Sequence, residues 1–265
     1  MNIDYKLKDP VNLELSQYGM EGICQWYDFE HPLHKLPHIE KLFSLYLNQY
    51  HFSKWIQPGM TCIDIGAHIG DTALPMMSSC RATVLAIEPN HYMLPFLQKN
   101  CEANSHLGKF VIATEAVTSQ ITDTLTFGDH CNAMINGGII DNTWDNGTAQ
   151  FVRGMTGQTM TVKGLPFIEI CKKYLSAEEI DKIGFIKTDT EGHDIEIIRN
   201  MRDFLQEQKP VLLTEWFFGY SPADSERLFS VIYEAGYVPH YPETMEEADL
   251  NNRSEDLLCI HKDNL

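Results

Sequence analysis

Short apolar runs, each followed by polar or acidic residues, recur along the chain and predict buried strands. These runs cover residues 61–66, 82–88, 109–117, 183–189 and 210–215. Segments with helical spacing of their apolar positions lie between most of them, at residues 70–79, 91–104, 191–208 and 223–235. Because strands that alternate with helices form a parallel sheet covered on both faces, the pattern predicts an α/β fold.

Two further apolar runs, at residues 236–241 and 256–261, follow each other without a convincing helix between them. This spacing predicts an antiparallel strand pair, because antiparallel neighbours do not need a crossover helix. We therefore expect a mostly parallel sheet with helices on both faces and a C-terminal antiparallel strand pair at one edge.

Two regions depart from the alternation. Residues 1–57 contain an amphipathic pattern at 38–52, which predicts an N-terminal helical cap or lid before a single domain over 58–265. Residues 118–165 are rich in Gly, Asn and Thr and contain the alternating pieces TDTLTF and TAQFVRG. They predict an insertion with short antiparallel strands, and long insertions of this kind are often functional.

The composition argues against nucleic-acid-binding, membrane-spanning and disulfide-rich classes of protein. The chain has 265 residues, 43% hydrophobic and 22% charged, with a formal charge of −17 that opposes binding to nucleic acid. No apolar stretch is long enough to span a bilayer, and the N-terminus lacks the apolar core of a secretory signal. Seven dispersed cysteines without a C-x-x-C pair indicate reduced thiols. We expect a cytoplasmic protein with a neutral or cationic small-molecule partner; the N-terminal helix could also serve as an oligomer interface.

The segment DIGAHIGD (64–71) lies where the first strand of the predicted sheet passes into a helix. Gly66 and Gly70 would let this turn pass close to a ligand, and Glu88 ends the next strand, where an acid commonly holds the hydroxyls of an adenosine ribose. The alternative is that the glycines serve tight packing only and that Glu88 is a surface acid.

Three acids at successive strand ends, Asp64, Glu88 and Glu115, indicate which adenosine cofactor fits. A dinucleotide site needs a middle glycine for its pyrophosphate, and this chain reads G-A-H-I-G without it. A carboxylate at Asp64 suits the ammonium of an amino-acid tail, and Glu115 could bind an adenine amino group. S-adenosylmethionine therefore fits the pattern better than NAD.

The segment KTDTEGHD (187–194) places five ionisable side chains between a predicted strand and the next helix. Asp189 and Glu215 end two strands that we expect to be neighbours, and His193 follows one helical turn after Asp189. All three could face one crevice at the carboxyl edge of the sheet. His193 is the candidate general base with Asp189 as its orienting acid; the alternative is that both only cap the helix.

Lys187 lies inside the predicted strand and needs a carboxylate partner, which we expect from Asp189, Glu191 or Glu215. The same three acids could instead supply oxygen ligands to Mg²⁺, which would lower the pKa of a bound hydroxyl. A lysine in the cluster would compete with the metal for them.

Five blocks of the chain resemble the FkbM-type family of S-adenosylmethionine-dependent methyltransferases. They are PGMTCIDIGAHIGDT (58–72), AIEPN (86–90), EAV (115–117), FIKTDTEGHDIEII (185–198) and KPVLLTEW (209–216). The resemblance implies a Rossmann-like class I methyltransferase fold with a seven-stranded sheet. It also implies S-adenosyl-L-methionine as the cofactor and methyl transfer to a hydroxyl of a sugar, glycan or small natural product.

The resemblance and the residue patterns together give the candidate site. The candidate catalytic residues are His193, Asp189 and Glu215, and no metal ligand is assigned. The candidate cofactor-binding residues are Asp64, Gly66, Ala67, His68, Gly70, Glu88, Pro89, Glu115 and Ala116. The chain departs from the family pattern at His68, where Asn is usual, at Asp194, where Glu is usual, and at 161–169, which lacks the family's Thr-Leu-Asp turn.

Three other functions stay open at this point. A metal-assisted O-methyltransferase would use Asp189, Glu191 and Glu215 as ligands. An NAD-linked oxidoreductase is disfavoured by Asp64 and by the missing glycine. A protein that binds the cofactor without catalysis would keep the same cofactor residues and make no use of His193.

Overall fold

The computed structural model describes residues 6–30, 38–129, 138–139 and 158–265. The described N-terminal part begins with four short strands: β1 Lys6–Leu7, β2 Val11–Glu14, β3 Ile23–Trp26 and β4 Phe29–Glu30. β1 pairs with β4 and β2 pairs with β3, both antiparallel. The sequence pattern does not predict these pairs, because short strands with few buried positions give a weak alternation.

The predicted helix at 38–52 is present but interrupted. It consists of α1 Ile39–Ser44, a π-helical turn at Leu45–Gln49 and α2 Phe52–Trp55. A π-helical turn inserts an extra residue per turn, which changes the face that the following side chains present. Tyr46 and Tyr50 are consequently both buried against the rest of the molecule.

A seven-stranded sheet forms the centre of the molecule. Its strands are β5 Thr61–Ile65, β6 Thr83–Ile87, β7 Lys109–Ala113, β12 Ile183–Thr188, β13 Val211–Glu215, β14 Tyr237–His240 and β15 Asp256–His261. Their order is β14-β15-β13-β12-β5-β6-β7. β15 is antiparallel to β13 and β14, and the other neighbours are parallel. The predicted α/β fold with a C-terminal antiparallel pair is confirmed.

Helices cover both faces of this sheet. They are α3 Ala73–Cys80, α4 Leu94–Ala103, α5 Phe167–Tyr174, α6 Ala177–Asp181, α7 Asp194–Gln208 and α8 Pro222–Glu234. The N-terminal helices, α3 and α4 pack on one face, and α5, α7 and α8 pack on the other. Adjacent strand residues such as Phe185 and Ile186 belong to different cores because side chains alternate along a strand.

Part of the predicted insertion forms a small second sheet. Its strands are β8 Ala116–Val117, β9 Thr122–Asp129, β10 Gly138–Ile139 and β11 Gln158–Leu165, in the order β10-β9-β11-β8. β9 contains TDTLTF and pairs antiparallel with β11, as the alternation predicts. TAQFVRG, at 148–154, lies outside the described residues.

Membrane spans and cysteines can be assessed for the residues that the structure describes. In the described ranges no helix is both long and apolar enough to cross a membrane. The cysteines described there are free thiols and are buried: Cys24, Cys62, Cys80, Cys101, Cys171 and Cys259.

Candidate functional site

A cavity of about 730 Å³, part of it open to solvent, lies at the carboxyl ends of the parallel strands. Its walls come from the turns after β5 and β6, from β8 and β9, and from the turn between β12 and α7. This is the edge at which open α/β sheets bind their ligands. Several sequence-predicted residues line it: Gly66, His68, Glu88, Pro89, Ala116, Asp189 and His193.

The turn after β5 is built from residues in the left-handed region. Gly66, His68 and Gly70 have φ angles of 84°, 49° and 98°. The amides of Gly66 and Ala67 both donate to the carbonyl of Ile87 in β6, at 3.0 and 3.1 Å. A Cβ atom on Gly66 would lie 1.8 Å from the carbonyl oxygen of Asp189, so only glycine fits where the two turns meet.

His68 occupies the left-handed position where the family resemblance leads one to expect Asn. Asn and His are both enriched among the non-glycine residues that adopt this conformation, which gives the exchange a physical basis. The His68 amide donates to Glu88 Oε2 at 2.7 Å, and its Nδ1 lies 3.7 Å from Asp71 Oδ1. Its ring meets the ring of Phe29 edge-on, with centroids 6.2 Å apart.

Glu88 is the acid at the end of β6, and both of its carboxylate oxygens accept backbone amides. Oε2 accepts from His68 and Oε1 accepts from Asn90, each at 2.7 Å. Burial raises the pKa of Glu88 to about 7, although these two amide donors act in the opposite direction. Each oxygen keeps a second lone pair, so the carboxylate can also accept hydrogen bonds from a ligand diol such as that of a ribose.

Asp64 is fully buried in β5 and lies behind the cavity wall. Its Oδ1 is 3.9 Å from Lys187 Nζ, and no described residue donates a hydrogen bond to either oxygen. Burial raises the pKa of Asp64 to about 7, and the Lys187 ammonium opposes the rise. The structure thus places this acid beside a buried lysine rather than on the cavity surface.

Glu115, the predicted adenine ligand, is not among the residues that line the cavity. Its carboxylate accepts from Lys173 Nζ at 2.5 Å and from the Tyr174 hydroxyl at 3.0 Å, both on α5. Burial would raise the pKa of Glu115, but these two hydrogen bonds hold it below its usual range. The next two residues, Ala116 and Val117, form β8 and line the cavity.

Ala67 and Gly70 belong to the turn after β5 but do not line the cavity. Gly70 packs against α4, where a Cβ atom would lie 3.3 Å from Leu97 Cδ1. Its amide donates to the carbonyl of Ala67 at 2.7 Å, which closes the turn. Both residues therefore shape the turn that carries Gly66 and His68 to the cavity.

The segment KTDTEGHD joins β12 to α7 and is both a helix start and a cavity wall. The Asp189 amide donates to the carbonyl of Ile65 at 2.9 Å, which ties this turn to the end of β5. Glu191 and Gly192 have φ angles of 57° and 101° and reverse the chain direction. His193 then occupies the N-cap position of α7, and Asp194 begins the helix.

Lys187 is 2% exposed and binds the predicted carboxylate partner. Its Nζ donates to Asp189 Oδ2 at 2.9 Å and also lies near Asp64. Burial by itself would lower the pKa of Lys187, but Asp189 and Asp64 raise it well above its usual range. A permanently charged ammonium therefore fixes Asp189 at the edge of the cavity.

Of the three candidate catalytic residues, the structure brings His193 and Asp189 to the cavity and leaves Glu215 behind it. His193 is 7% exposed. Glu215 Oε2 accepts the amide of Glu191 at 3.2 Å and so supports the turn from below. Burial, together with Asp189, Glu191 and Asp194, raises the pKa of Glu215 well above its usual range.

A metal site at these acids would require them to converge. Over residues 6–30, 38–129, 138–139 and 158–265, no three His, Cys, Asp or Glu side chains are arranged to hold a metal ion. Glu215 contacts the backbone of Glu191, and Asp189 is taken by Lys187. The described geometry thus assigns these acids to other partners.

The sequence patterns miss three groups that line the cavity. Asp71 ends the motif DIGAHIGD and faces His68, and Asn90 follows Pro89 in the turn after β6. Both lie within quoted motifs, DIGAHIGD and AIEPN, and both follow a strand of the parallel sheet, so the sequence contains the signal for their position. Phe127 comes from β9, and no pattern in the sequence connects that strand with the cavity.

Comparison with known proteins assigns the chain to a family. The family model described as the methyltransferase FkbM domain matches residues 64–247. No curated protein matches the chain.

Solved structures match over most of the chain at low identity. The FkbM methyltransferase from Methylobacillus flagellatus KT is 15% identical over 83% of this chain and 52% of its own, with a TM-score of 0.45. A precorrin-6y methyltransferase from Geobacter metallireducens GS-15 is 12% identical over 87% and 98%, with a TM-score of 0.38. The T. thermophilus 16S rRNA methyltransferase in complex with AdoMet and guanosine is 11% identical over 97% and 50%, with a TM-score of 0.43. The chain spans about half the length of the first of these proteins.

Proposed function

The chain belongs to the FkbM methyltransferase family, and we propose that it transfers a methyl group from S-adenosylmethionine to a hydroxyl of a sugar, glycan or small natural product. One observation carries the proposal. Glu88, whose two carboxylate oxygens are oriented by the amides of His68 and Asn90, lines the same cavity as His193 and Asp189.

The cavity residues fit S-adenosylmethionine by their chemistry. Glu88 would hold the ribose hydroxyls, and Gly66 lines the same cavity. Among the described residues the lining contains the acids Asp71, Glu88, Asp189 and Glu191 and no lysine or arginine. This charge distribution suits a sulfonium and an ammonium and would repel the pyrophosphate of NAD.

The cofactor supplies an activated methyl group, so the protein has to orient the acceptor and receive its proton. In this proposal His193, which lines the cavity, accepts the proton of the acceptor hydroxyl, because neutral imidazole is a base near physiological pH. Asp189 stands at the same cavity and is held by Lys187. In this assignment Asp189 orients the acceptor or His193 and does not itself take up the proton.

The same charges favour one class of acceptor. An anionic acceptor, such as a uronic acid or a sugar phosphate, would enter the field of several carboxylates without a described cationic partner in the lining. A neutral or amino-substituted hydroxyl compound avoids this repulsion. Specificity within this class is expected from the segments outside the family motifs, including β9, whose Phe127 reaches the cavity.

The test combines binding with turnover. Calorimetry should show binding of S-adenosylhomocysteine to the pure protein, and mass spectrometry of a panel of sugars and glycosides should reveal a methylated product. His193→Gln should lower kcat by about 10²–10⁴-fold, the usual contribution of a general base, and leave cofactor affinity unchanged.

Two results would contradict the proposal, in its mechanism or as a whole. If His193→Gln keeps full activity while a chelator abolishes it, the base is a metal-bound group and the metal-assisted alternative holds. If S-adenosylhomocysteine does not bind at all, the methyltransferase proposal is lost.

A further inference from the structure

Asn100 of α4 and Asn104, the C-cap residue that follows it, hydrogen-bond through their side chains to the backbone of the N-terminal β-structure. Asn100 and Asn104 are both fully buried and lie one helical turn apart. The side-chain amide of Asn104 accepts the Gln25 N–H at 2.8 Å and donates to the Gln25 carbonyl at 2.6 Å. Asn100 does the same with Tyr27, at 2.7 and 2.9 Å. The outer edge of β3 is thereby paired as if by another strand.

Asn100 makes one contact that Asn104 does not. Its amide nitrogen also donates to the carbonyl of Ile69 at 2.7 Å. Ile69 stands between His68 and Gly70, two of the three left-handed residues of the turn after β5. The buried side chain of Asn100 therefore connects the N-terminal strand pair to the turn after β5. In that turn the His68 amide donates to the Glu88 carboxylate.

A second contact joins the same two regions independently. Phe29, which is 2% exposed, follows β3 and meets the His68 ring edge-on. It also packs on Phe96 of α4, with centroids 5.0 Å apart. The segment that Asn100 binds at Tyr27 thus lies directly against the wall of the cofactor cavity.

We propose that Asn100 is a positioning residue for cofactor binding, through which the N-terminal segment fixes the conformation of the turn after β5. The inference rests on the proposed function, because it concerns the affinity for S-adenosylmethionine. It also goes beyond the family match, which begins at residue 64 and does not include the N-terminal strands.

The backbone of the turn explains why such an anchor matters. His68 holds a φ of 49°, a conformation that is unfavourable for a non-glycine residue and persists only where the surrounding structure supports it. Glu88 supports the turn at the His68 amide, and Asn100 supports it one residue later. Without Asn100 the turn could relax, and the Glu88 carboxylate would lose its fixed orientation toward a ligand.

Asn104, the C-cap residue of the same helix, offers a matched control. The test compares Asn100→Ser with Asn104→Ser by calorimetry with S-adenosylhomocysteine, and the Tm of each variant is measured as well. We expect the Kd to rise about tenfold in Asn100→Ser, which corresponds to the loss of about one hydrogen bond, and less than about twofold in Asn104→Ser. Both variants should lose similar thermal stability, since Asn104→Ser releases the backbone of Gln25 and Asn100→Ser releases that of Tyr27.

A measurement on the natural sequence covers the case in which Asn100→Ser does not fold. Hydrogen exchange followed by NMR should show that S-adenosylhomocysteine slows exchange of the Tyr27 amide more than that of the Gln25 amide. The proposal is overturned by equal affinity losses in the two variants, or by no protection of Tyr27 on binding. Absence of binding to the natural protein would instead overturn the proposed function.

Discussion

At the scale of single residues, the approach of two turns at Gly66 places the strictest demand on the chain. Gly66 and Gly59 both have left-handed backbones, with φ of 84° and 91°. A Cβ atom on Gly66 would lie 1.8 Å from the Asp189 carbonyl, whereas nothing lies within 4 Å of one on Gly59. The two glycines therefore separate the cost of the backbone conformation from the cost of the clash.

We expect Gly59→Ala to lower the free energy of unfolding by about 1–2 kcal/mol, the cost of the left-handed conformation alone. Gly66→Ala should lose about 3 kcal/mol more, the upper end for an overpacked site, and should also abolish binding of S-adenosylhomocysteine. Urea denaturation and calorimetry measure both effects. Equal losses in the two variants would show that the Asp189 carbonyl does not constrain residue 66.

The sequence patterns predict which acids lie at the carboxyl edge of the sheet, but they do not predict the partners of each carboxylate. Glu88 and Asp189 follow from the rule that parallel strands end at one edge. Glu115 follows the same rule, yet its carboxylate binds Lys173 and Tyr174. These partners lie on a helix far along the chain, and no local pattern reveals that this helix packs beside Glu115.

At the scale of elements, the alternation of strands and helices predicted the sheet, but the N-terminal helices show its limit. The predicted helix contains the π-helical turn Leu45–Gln49, and a π-helical turn has no distinctive apolar period. This turn precedes Tyr50, whose hydroxyl donates to Asp256 Oδ2 at 2.9 Å. Asp256 stands opposite Glu215 in the antiparallel pair β13–β15. The N-terminal helices are thus anchored at the acidic edge of the sheet.

Tyr50→Phe should therefore destabilise the protein in a pH-dependent way. Burial raises the pKa of Asp256 to about 7, with Asp189 adding to the rise, while Lys187 and the Tyr50 hydrogen bond oppose it. Without the hydroxyl the folded-state pKa rises further, so the added penalty is absent at low pH and grows as pH rises. We expect a loss of about 1.5–3 kcal/mol near pH 8 and less than half of that near pH 5.

Tyr18→Phe provides the control for this prediction. The Tyr18 hydroxyl donates to the backbone carbonyl of Glu40 at 3.1 Å, and a carbonyl does not titrate. We expect a smaller loss, about 1 kcal/mol, that is the same at both pH values. A loss in Tyr50→Phe that does not change with pH would contradict the role assigned to Asp256.

At the scale of the whole molecule, the strand order could not be worked out from periodicity. The alternation predicts which segments are strands, but the order β14-β15-β13-β12-β5-β6-β7 depends on the direction of each crossover. The resemblance of the motifs to a known family supplied the sheet size that the pattern lacked. The order in turn decides that Lys187 lies beside Asp64, a contact between strands far apart in the sequence.

The carboxyl groups gathered by this strand order predict how stability depends on pH. Burial raises the pKa of Asp64, Glu88 and Asp256 to about 7, that of Asp194 to about 6 and that of Glu215 well above its usual range. Between about pH 4 and pH 7 the folded state therefore holds protons that the unfolded chain releases, and stability falls as pH rises. His261, whose pKa is lowered by burial, acts in the opposite direction.

We expect the Tm near pH 8 to lie about 5 °C or more below the Tm near pH 5.5, since a loss of even 2 kcal/mol shifts a domain of this size by about 4–8 °C. The formal charge of −17 adds self-repulsion at the higher pH. Added salt should therefore recover only part of the difference, because salt screens surface charge but does not rehydrate buried carboxylates. Full recovery in high salt would assign the effect to surface repulsion, and a Tm that rises toward pH 8 would contradict the raised pKa values altogether.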